Sequence, residues 1–472
     1  MNSIFTENFE RDVYSVDEIL RIKESYDLKK REIKSGGTRA VIYYAEGFQD
    51  NRLMTDFISY LQNGKNIGDG KTGAAQRFIC GSPVPLDASV VTSSEDIVFN
   101  VLSGKSVVLS EGFVREAVTV DARKYPIRTT SEPENDRVMR GARDGFVETV
   151  LLNVTLIRRR IRDPRLTVSY HCIGKNTMTD IAVIYLDGKA DPEYVNRILN
   201  KIQNIETDSL VLGHQSITET LIRKKWYNPF PKIRATERPD AASASILEGS
   251  IIILCDNSPE ALILPTSVFD FLQVTDDYYF PPLTGSYLRV LRHVIFILTV
   301  YLIPVWYLLL RHYDILPGWL LFVIPSNPGS LPILLQIILA EFAIDGLKLA
   351  SLNTPDMLSG SLSIVGGLLL GDFAVQVGWL SPDVILYMAF VAIANFTQTS
   401  FELGYAFKYL RMLTLILTVL FDIWGFIGAV LLTVILLVLN NTDASGRGYL
   451  YPVVPPGRHS FLRLMFRMKK DD

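Results

Sequence analysis

The chain has 472 residues, 48% of them hydrophobic, with a mean hydropathy of +0.22 and 47 Lys and Arg against 50 Asp and Glu, a formal charge of −3. So small a charge gives no electrostatic argument for a nucleic-acid partner. Cys80, Cys172 and Cys255 are far apart and form no C-x-x-C pair, which argues against a zinc site or a disulfide framework. Charged residues are frequent up to Asp277, but from Val290 to Asn440 only thirteen occur, five basic and eight acidic. That step divides a charged N-terminal portion from an apolar remainder.

The N-terminal sequence MNSIFTENFERDVYSVDEIL carries charge and no apolar run of signal-peptide length, so the N-terminal portion is expected to stay in the cytoplasm. A repeat follows. AVIYY (Ala40 to Tyr44) precedes Glu46-Gly47 and the helical NRLMTDFISYLQN; AVIYL (Ala182 to Leu186) precedes Asp187-Gly188 and PEYVNRILNKIQ. VLSGKSVVLSEG (Val101 to Gly112) is answered by ILEGSIIILCDN (Ile246 to Asn257) in the same order. Each member of this second pair reads as helix end, Gly turn and β-branched strand, so two related α/β subdomains are expected. The expected division is an N-terminal extension over 1–35, subdomain 1 over 36–134, a connecting helix over 135–162 and subdomain 2 over 163–280.

Neither repeat carries a dinucleotide or P-loop fingerprint. GKNIGDGKTG (Gly64 to Gly73) comes nearest, but its spacing fits a loop better than a phosphate cradle. In RGARDGFVETVLLNVTLIRRRIRDP (Arg140 to Pro164), Phe146, Val150, Val154 and Ile157 share a helix face, and Arg158, Arg159, Arg160 and Arg162 gather at the C-terminal end, where the dipole favours cations. Two readings stay open: a capped structural helix, or a basic patch including Arg140, Arg143 and Asp144 that meets anionic lipid or a partner. In NPFPKIRATERPD (Asn228 to Asp240), Thr236 is expected to cap a helix and Glu237 and Arg238 to form an inter-domain ion pair. The five histidines show no ligand spacing, and no catalytic constellation or cofactor motif stands out.

The apolar remainder, 281–440, is expected to be an all-α bundle of five or six membrane spans, with a basic tail over 441–472. The five candidates are Val290 to Leu310, Leu331 to Ala350, Gly360 to Val377, Val384 to Ser400 and Leu410 to Leu439. The last is too long for one straight crossing and is expected to tilt, break, or kink near Trp424 and Gly425. Arg289, Arg292, Lys408 and Arg411 are expected to flank spans on the cytoplasmic side. Five spans would leave the basic tail outside, and a sixth passage through Ile315 to Pro325 would resolve the conflict. Trp306, Tyr307 and Trp319 are expected interface anchors. Buried acids in such a setting mark pathways or partners: Glu341 and Asp345 share a helix face, Asp372 lies late in the third span and Asp422 in the middle of the fifth. An acidic lining for cations is one reading; acids bonded across helices or reaching water are the others.

RGARDGFVETVLLNVTLIRRRIRDPRL, TDIAVIYLDG, NPFPKIRATERPD and ILEGSIIILCDNSPEALILP, followed by the apolar spans, resemble the A subunits of the GerA-type spore germinant receptors. DARKYPIRTTSEPENDRVMRGARDGF and DDYYFPPLTGSYLRVLRH look closer still to a sporulation paralogue of those subunits. The resemblance implies a protein of the spore inner membrane that assembles with itself and with other germination membrane proteins into an ion channel. It also implies that nutrient recognition lies mainly on a separate subunit, and that a paralogue of this kind would amplify ion release.

Overall fold

The apolar runs AVIYY and AVIYL are strands covered on both faces, which is why they read as continuous rather than alternating. The computed structural model describes residues 5–6, 8–63, 67–82, 87–124, 141–205, 213–221, 227–274, 276–353, 364, 366–398, 400–440, 448–451 and 453. The chain forms two compact units: Met1–Lys224, Ile233–Thr266 and Thr442–Gly446 make the first, and Lys225–Lys232, Ser267–Asn441 and Arg447–Asp472 the second.

In the first unit the elements run α1 (Phe9–Leu20), β1 (Leu28–Ser35), β2 (Thr38–Ala45), α2 (Asn51–Asn63), α3 (Ala74–Cys80), β3 (Asp87–Val91), α4 (Ser94–Leu102), β4 (Ser106–Ser110) and β5 (Ala117–Asp121). The series then recurs as α5 (Val150–Arg160), β6 (Leu166–Ile173), β7 (Thr179–Leu186), α6 (Pro192–Gln203), α7 (His214–Leu221), β8 (Arg234–Thr236), α8 (Pro239–Leu247), β9 (Ile251–Cys255) and β10 (Ala261–Leu264). The two sheets have matching orders, β1-β2-β4-β5-β3 and β6-β7-β9-β10-β8, and every pairing is antiparallel. Val41 and Tyr43 face one core with Val16 of α1 and Val101 of α4, while Ile42 faces the other with Phe57 of α2. The second sheet repeats this: Val183 packs toward Ile198 of α6, and Ile184 toward Val154 of α5 and Ile246 of α8.

This correspondence moves two expected boundaries. Residues 1–35 are not an extension, because α1 covers a sheet face and β1 pairs along its length with β2. Likewise α5 is less a connector than the second repeat's counterpart of α1. The sequences FERDVYSVDEIL and VLLNVTLIRRR share no pattern, since covering a sheet face requires only an apolar stripe.

One buried ion pair joins the repeats. Arg158 in α5 donates to Asp27, between α1 and β1, at 2.6 and 2.9 Å, to Ser25 Oγ at 3.0 Å and to the Leu166 carbonyl at 2.8 Å. Arg158 is 0% and Asp27 1% exposed. Beside it Tyr26 donates its N–H to the Val168 carbonyl and stacks on Tyr170, ring centroids 4.2 Å apart. Gly47, at φ +88°, lies so close to α5 that a Cβ there would stand 2.2 Å from Thr155 Oγ1.

The second unit is helical: α9 (Asp276–Tyr279), α10 (Pro282–Arg311), α11 (Ile333–Asn353), a π-helical turn Leu369–Phe373 running into Ala374–Gln376, α12 (Pro382–Phe396) and α13 (Phe401–Val438). Helix α13 is not straight. Asp422 has φ 57° and ψ −135° inside it, and contacts with α10 advance and then turn back. Phe407 meets Phe296, Arg411 the Thr299 carbonyl, Val419 is bonded by Arg311, and then Phe426 meets Tyr301. Leu403 and Leu437 share one core cluster, although 34 residues of continuous helix would separate them by about 51 Å. Gly425 touches the Leu417 carbonyl so closely that a Cβ would be 1.9 Å away. Residues 401–421 and 423–438 are therefore two antiparallel arms of a hairpin.

The other segments also alternate. Helix α11 runs back along the first arm, from Glu341 beside Arg411 to Lys348 over Phe401 and Tyr405. Residues 366–378 return from Leu347 to Ser330. Helix α12 starts where Ser381 donates to Gln336 and ends at Asn395 against Gly404. Among the described residues six segments thus alternate in direction, and residues 448–451 lie at the end where α10 begins: Tyr449 packs on Phe230 and donates to the Pro231 carbonyl. The long fifth candidate is two segments, and the sixth alternating segment is its second arm, 423–438, rather than Ile315 to Pro325. That stretch is a short 3₁₀ segment, Gly318–Val323, pinned where Trp306 Nε1 donates to the Val323 carbonyl at 3.0 Å. Trp306 is accordingly a packing residue, 2% exposed, while Trp319 is 74% exposed. The basic residues of the tail from 454 onward lie outside the described residues.

Replacing Arg158 or Asp27 by Ala is expected to cost about 3–5 kcal/mol, since either change strands a buried charge. Urea unfolding of the detergent-purified chain measures this, and Arg158→Met with Asp27→Leu is expected to recover most of the loss.

Candidate functional site

Glu341 lies midway along α11, in ILLQIILAEFAIDGLKLASLN, and the i, i+4 spacing brings Asp345 to the same face. The partners of both come from α13. Arg411 donates to Glu341 Oε1 at 2.6 Å and to the Thr299 carbonyl of α10 at 3.0 Å. The Lys408 ammonium is bonded to Asp345 and lies 3.8 Å from Glu341 Oε1. Glu341 is 7% and Arg411 2% exposed. The group is charge-balanced, which is what allows two carboxylates to stay inside an apolar bundle. Lys408 and Arg411, expected to flank a span, lie inside the helical bundle as counter-charges. The Lys348 ammonium lies 5.1 and 4.8 Å from the ring centres of Phe401 and Tyr405. A cavity of about 20 Å³ adjoins the cluster, lined by Glu341, Asp345, Lys348, Met388, Asn395 and Arg411 among others. Among the described residues, Glu341 Oε2, Arg411 Nε and Asn395 Oδ1 are buried without a hydrogen-bond partner.

The other two acids are elsewhere. Asp372 is exposed in the π-helical turn. Asp422 occupies the turn of the hairpin, where His312 Nε2 is 2.9 Å and Arg311 Nε 3.7 Å from its carboxylate. Arg311 also donates to the Val419 carbonyl at 2.8 Å, one of the acceptors that a helix end leaves free, and Asp422 stands at the N-terminal end of the returning arm, where an anion is favoured. The bundle's entry carries a third group: buried Asp277 accepts from Arg292 at 2.7 and 2.6 Å and from Arg289 at 3.3 Å. Both arginines lie in the N-terminal part of α10.

In the first unit the expected basic patch is largely used internally. Arg158 is buried on Asp27, and Arg160 is paired with Asp144 at 2.5 Å; Arg143 and Arg159 are exposed, and Arg140 lies outside the described residues. Arg238 pairs with Asp240 at 2.7 Å and donates to the Ala142 carbonyl, and the Glu237 carbonyl accepts from Phe146 N–H. The residue capping α8 is Arg238, and Thr236 belongs to β8 with its hydroxyl accepting from Arg238 N–H. In the loop expected between Gly64 and Gly73, Gly68 serves a close backbone approach, since a Cβ there would lie 2.3 Å from the Gly112 carbonyl oxygen. His214 bridges Ser258 Oγ and Glu260, each at 2.9 Å. Ser258 is 3% exposed, so its hydroxyl is shielded from a substrate and the trio reads as a clasp holding α7 to the β9–β10 turn.

Sequence spacing could not reveal the Glu341–Arg411 partnership across 70 positions. The available signal was two cations and two acids, each four or fewer residues apart, on separate apolar helices. Removing Arg411 is expected to be worse than removing Lys408, because Arg411 is more deeply buried and also satisfies the Thr299 carbonyl. Arg411→Met should melt several degrees below Lys408→Met in detergent. At the hairpin turn, Asp422→Gly is expected to leave the melting temperature unchanged or raised, since glycine relieves the positive φ. Asp422→Val is expected to cost about 1–3 kcal/mol in the same assay.

Comparison with known proteins places these features in a family. The Bacillus/Clostridium GerA spore germination protein family matches residues 17–471. Stage V sporulation protein AF of Bacillus subtilis (strain 168) is 34% identical over 450 residues, covering 94% of this chain and 90% of that protein. Spore germination protein A1 of the same organism is 27% identical over 439 residues, covering 92% and 88%. The crystal structure of the N-terminal domain of the A subunit of the Bacillus megaterium spore germinant receptor GerK3 aligns at 26% identity and a TM-score of 0.43, covering 56% of this chain and 96% of that one. With a family match running nearly end to end and a relative of this identity over nearly all of both lengths, the chain belongs to the GerA family of spore germination proteins.

Proposed function

We propose that the helical unit is embedded in the spore inner membrane, that several copies assemble there with other germination membrane proteins, and that the assembly passes monovalent cations during, or in amplification of, germination. The observation carrying this reading is the buried cluster of Glu341, Asp345, Lys408 and Arg411 beside a small cavity of mixed polar and apolar lining, inside helices whose outer surfaces are apolar. Ionisable groups are expensive in such surroundings and mark pathways and relays. Helix α10 is long and apolar enough to cross a membrane, and both arms of α13 are strongly apolar. Exposed Trp424, Phe421, Leu420 and Phe342 are suited to lipid contact. Six alternating segments support a topology in which the chain enters and leaves the bundle on the cytoplasmic side, where the basic tail is favoured.

A second reading is a non-conducting membrane scaffold that recruits germination proteins. The internal compensation of Glu341 and Asp345 favours it, because paired acids present no net charge to a passing ion. Potassium efflux from proteoliposomes distinguishes the two. The conducting reading predicts efflux that falls at least about tenfold in Glu341→Gln, a loss of about 1.4 kcal/mol or more in stabilising the ion. Efflux no greater than from empty vesicles would leave the scaffold. Single cysteines at positions 281 and 453 are expected to react with an impermeant maleimide from the same side of sealed vesicles, and labelling from opposite sides would remove the six-segment topology.

A further inference from the structure

The Lys408 ammonium stands between two carboxylates, bonded to Asp345 and 3.8 Å from Glu341 Oε1. We propose that Glu341 and Asp345 form a monovalent-cation site which the protein's own Lys408 occupies, and that a free potassium or sodium ion takes the ammonium's place when it withdraws. The inference rests on the conducting reading above and gives that pathway a specific gate.

Three observations support it. The first is chemistry: an ammonium is a compact point charge, and the oxygens around it are the donors that hard cations take. Glu341 Oε2 and Asn395 Oδ1 are buried without a partner among the described residues, and both residues line the same cavity as Asp345. The second is charge. Glu341 and Asp345 are balanced by Lys408 and Arg411, so removing the Lys408 ammonium leaves one negative charge to be filled; the Lys348 ammonium is directed over the rings of Phe401 and Tyr405. The third is freedom of movement. Arg411 is anchored to both Glu341 and the Thr299 carbonyl and is 3% exposed at its side chain, whereas the Lys408 side chain is 14% exposed and can swing its head toward solvent on a flexible stem. A cavity of about 20 Å³ admits a particle the size of a water molecule.

The test is thermal melting of the full chain in detergent, with potassium chloride exchanged for N-methylglucamine chloride at constant ionic strength. Lys408→Met is expected to gain about 3 °C in about 0.3 M potassium, while the wild type and Lys408→Met combined with Asp345→Asn show no preference between the two cations. Equal melting of Lys408→Met in both salts overturns the proposal. Should that variant not fold, the wild type carries the test: potassium, by competing for the carboxylates, is expected to raise acylation of the Lys408 amine about twofold over N-methylglucamine, read by mass spectrometry. An unchanged rate likewise overturns the proposal. A wild type that passes no potassium in proteoliposomes, with cation-dependent melting of Lys408→Met intact, refutes the conducting reading and leaves the site standing.

Discussion

The bond between Arg411 and Glu341 constrains the helical unit more than any other contact. A carboxylate and a guanidinium that are both nearly inaccessible cannot part without leaving a charge in a medium that solvates it poorly, so the first arm of α13 is held at one height against α11. The third partner, the Thr299 carbonyl, holds α10 at the same level. Pro304 lies one turn further along α10, where its missing N–H leaves the carbonyl of Val300 without its helical donor. The neighbouring aromatic contacts, Phe296 with Phe407 and Trp306 with Tyr387, fill the layers above and below. Once three helices share a level, the turn at Asp422 decides where the chain goes next, and the returning arm brings Leu437 back beside Leu403.

The first unit solves a different problem by a similar device. Two sheets of the same topology each bury both faces, and the pair is fixed by Arg158, which reaches from the opening helix of the second repeat to Asp27 in the first. Gly47 and Tyr26 complete that joint through close backbone approach and ring stacking. In both units one arginine therefore connects elements that are distant in sequence, and in both it also bonds a backbone carbonyl. Arginine suits this task because its planar fork serves several acceptors at once.

Much of the first unit was legible because duplication leaves a signal in each half: AVIYY and AVIYL, and the Gly-turn strands after them, fall at matching places in the two sheets. The opening helices α1 and α5 were not legible as counterparts, since a helix covering a sheet constrains only its apolar stripe. The run of arginines in α5 looked like one patch, yet burial separated its members: Arg158 faces the interior, Arg160 is tied to Asp144 and Arg159 is exposed.

In the helical unit the sequence by itself determined that the chain is apolar beyond residue 280, that Glu341 and Asp345 share a face, and that the long fifth stretch could not be one straight crossing. These follow from composition and from helical periodicity, which are local. Only the tertiary structure decided that Asp422 reverses the chain, that Lys408 and Arg411 lie inside the bundle as partners of the acids, and that Asp372 stands apart from them. The physical reason is that the energy of a buried charge depends on what lies across from it, and here those groups are contributed by helices dozens of residues away.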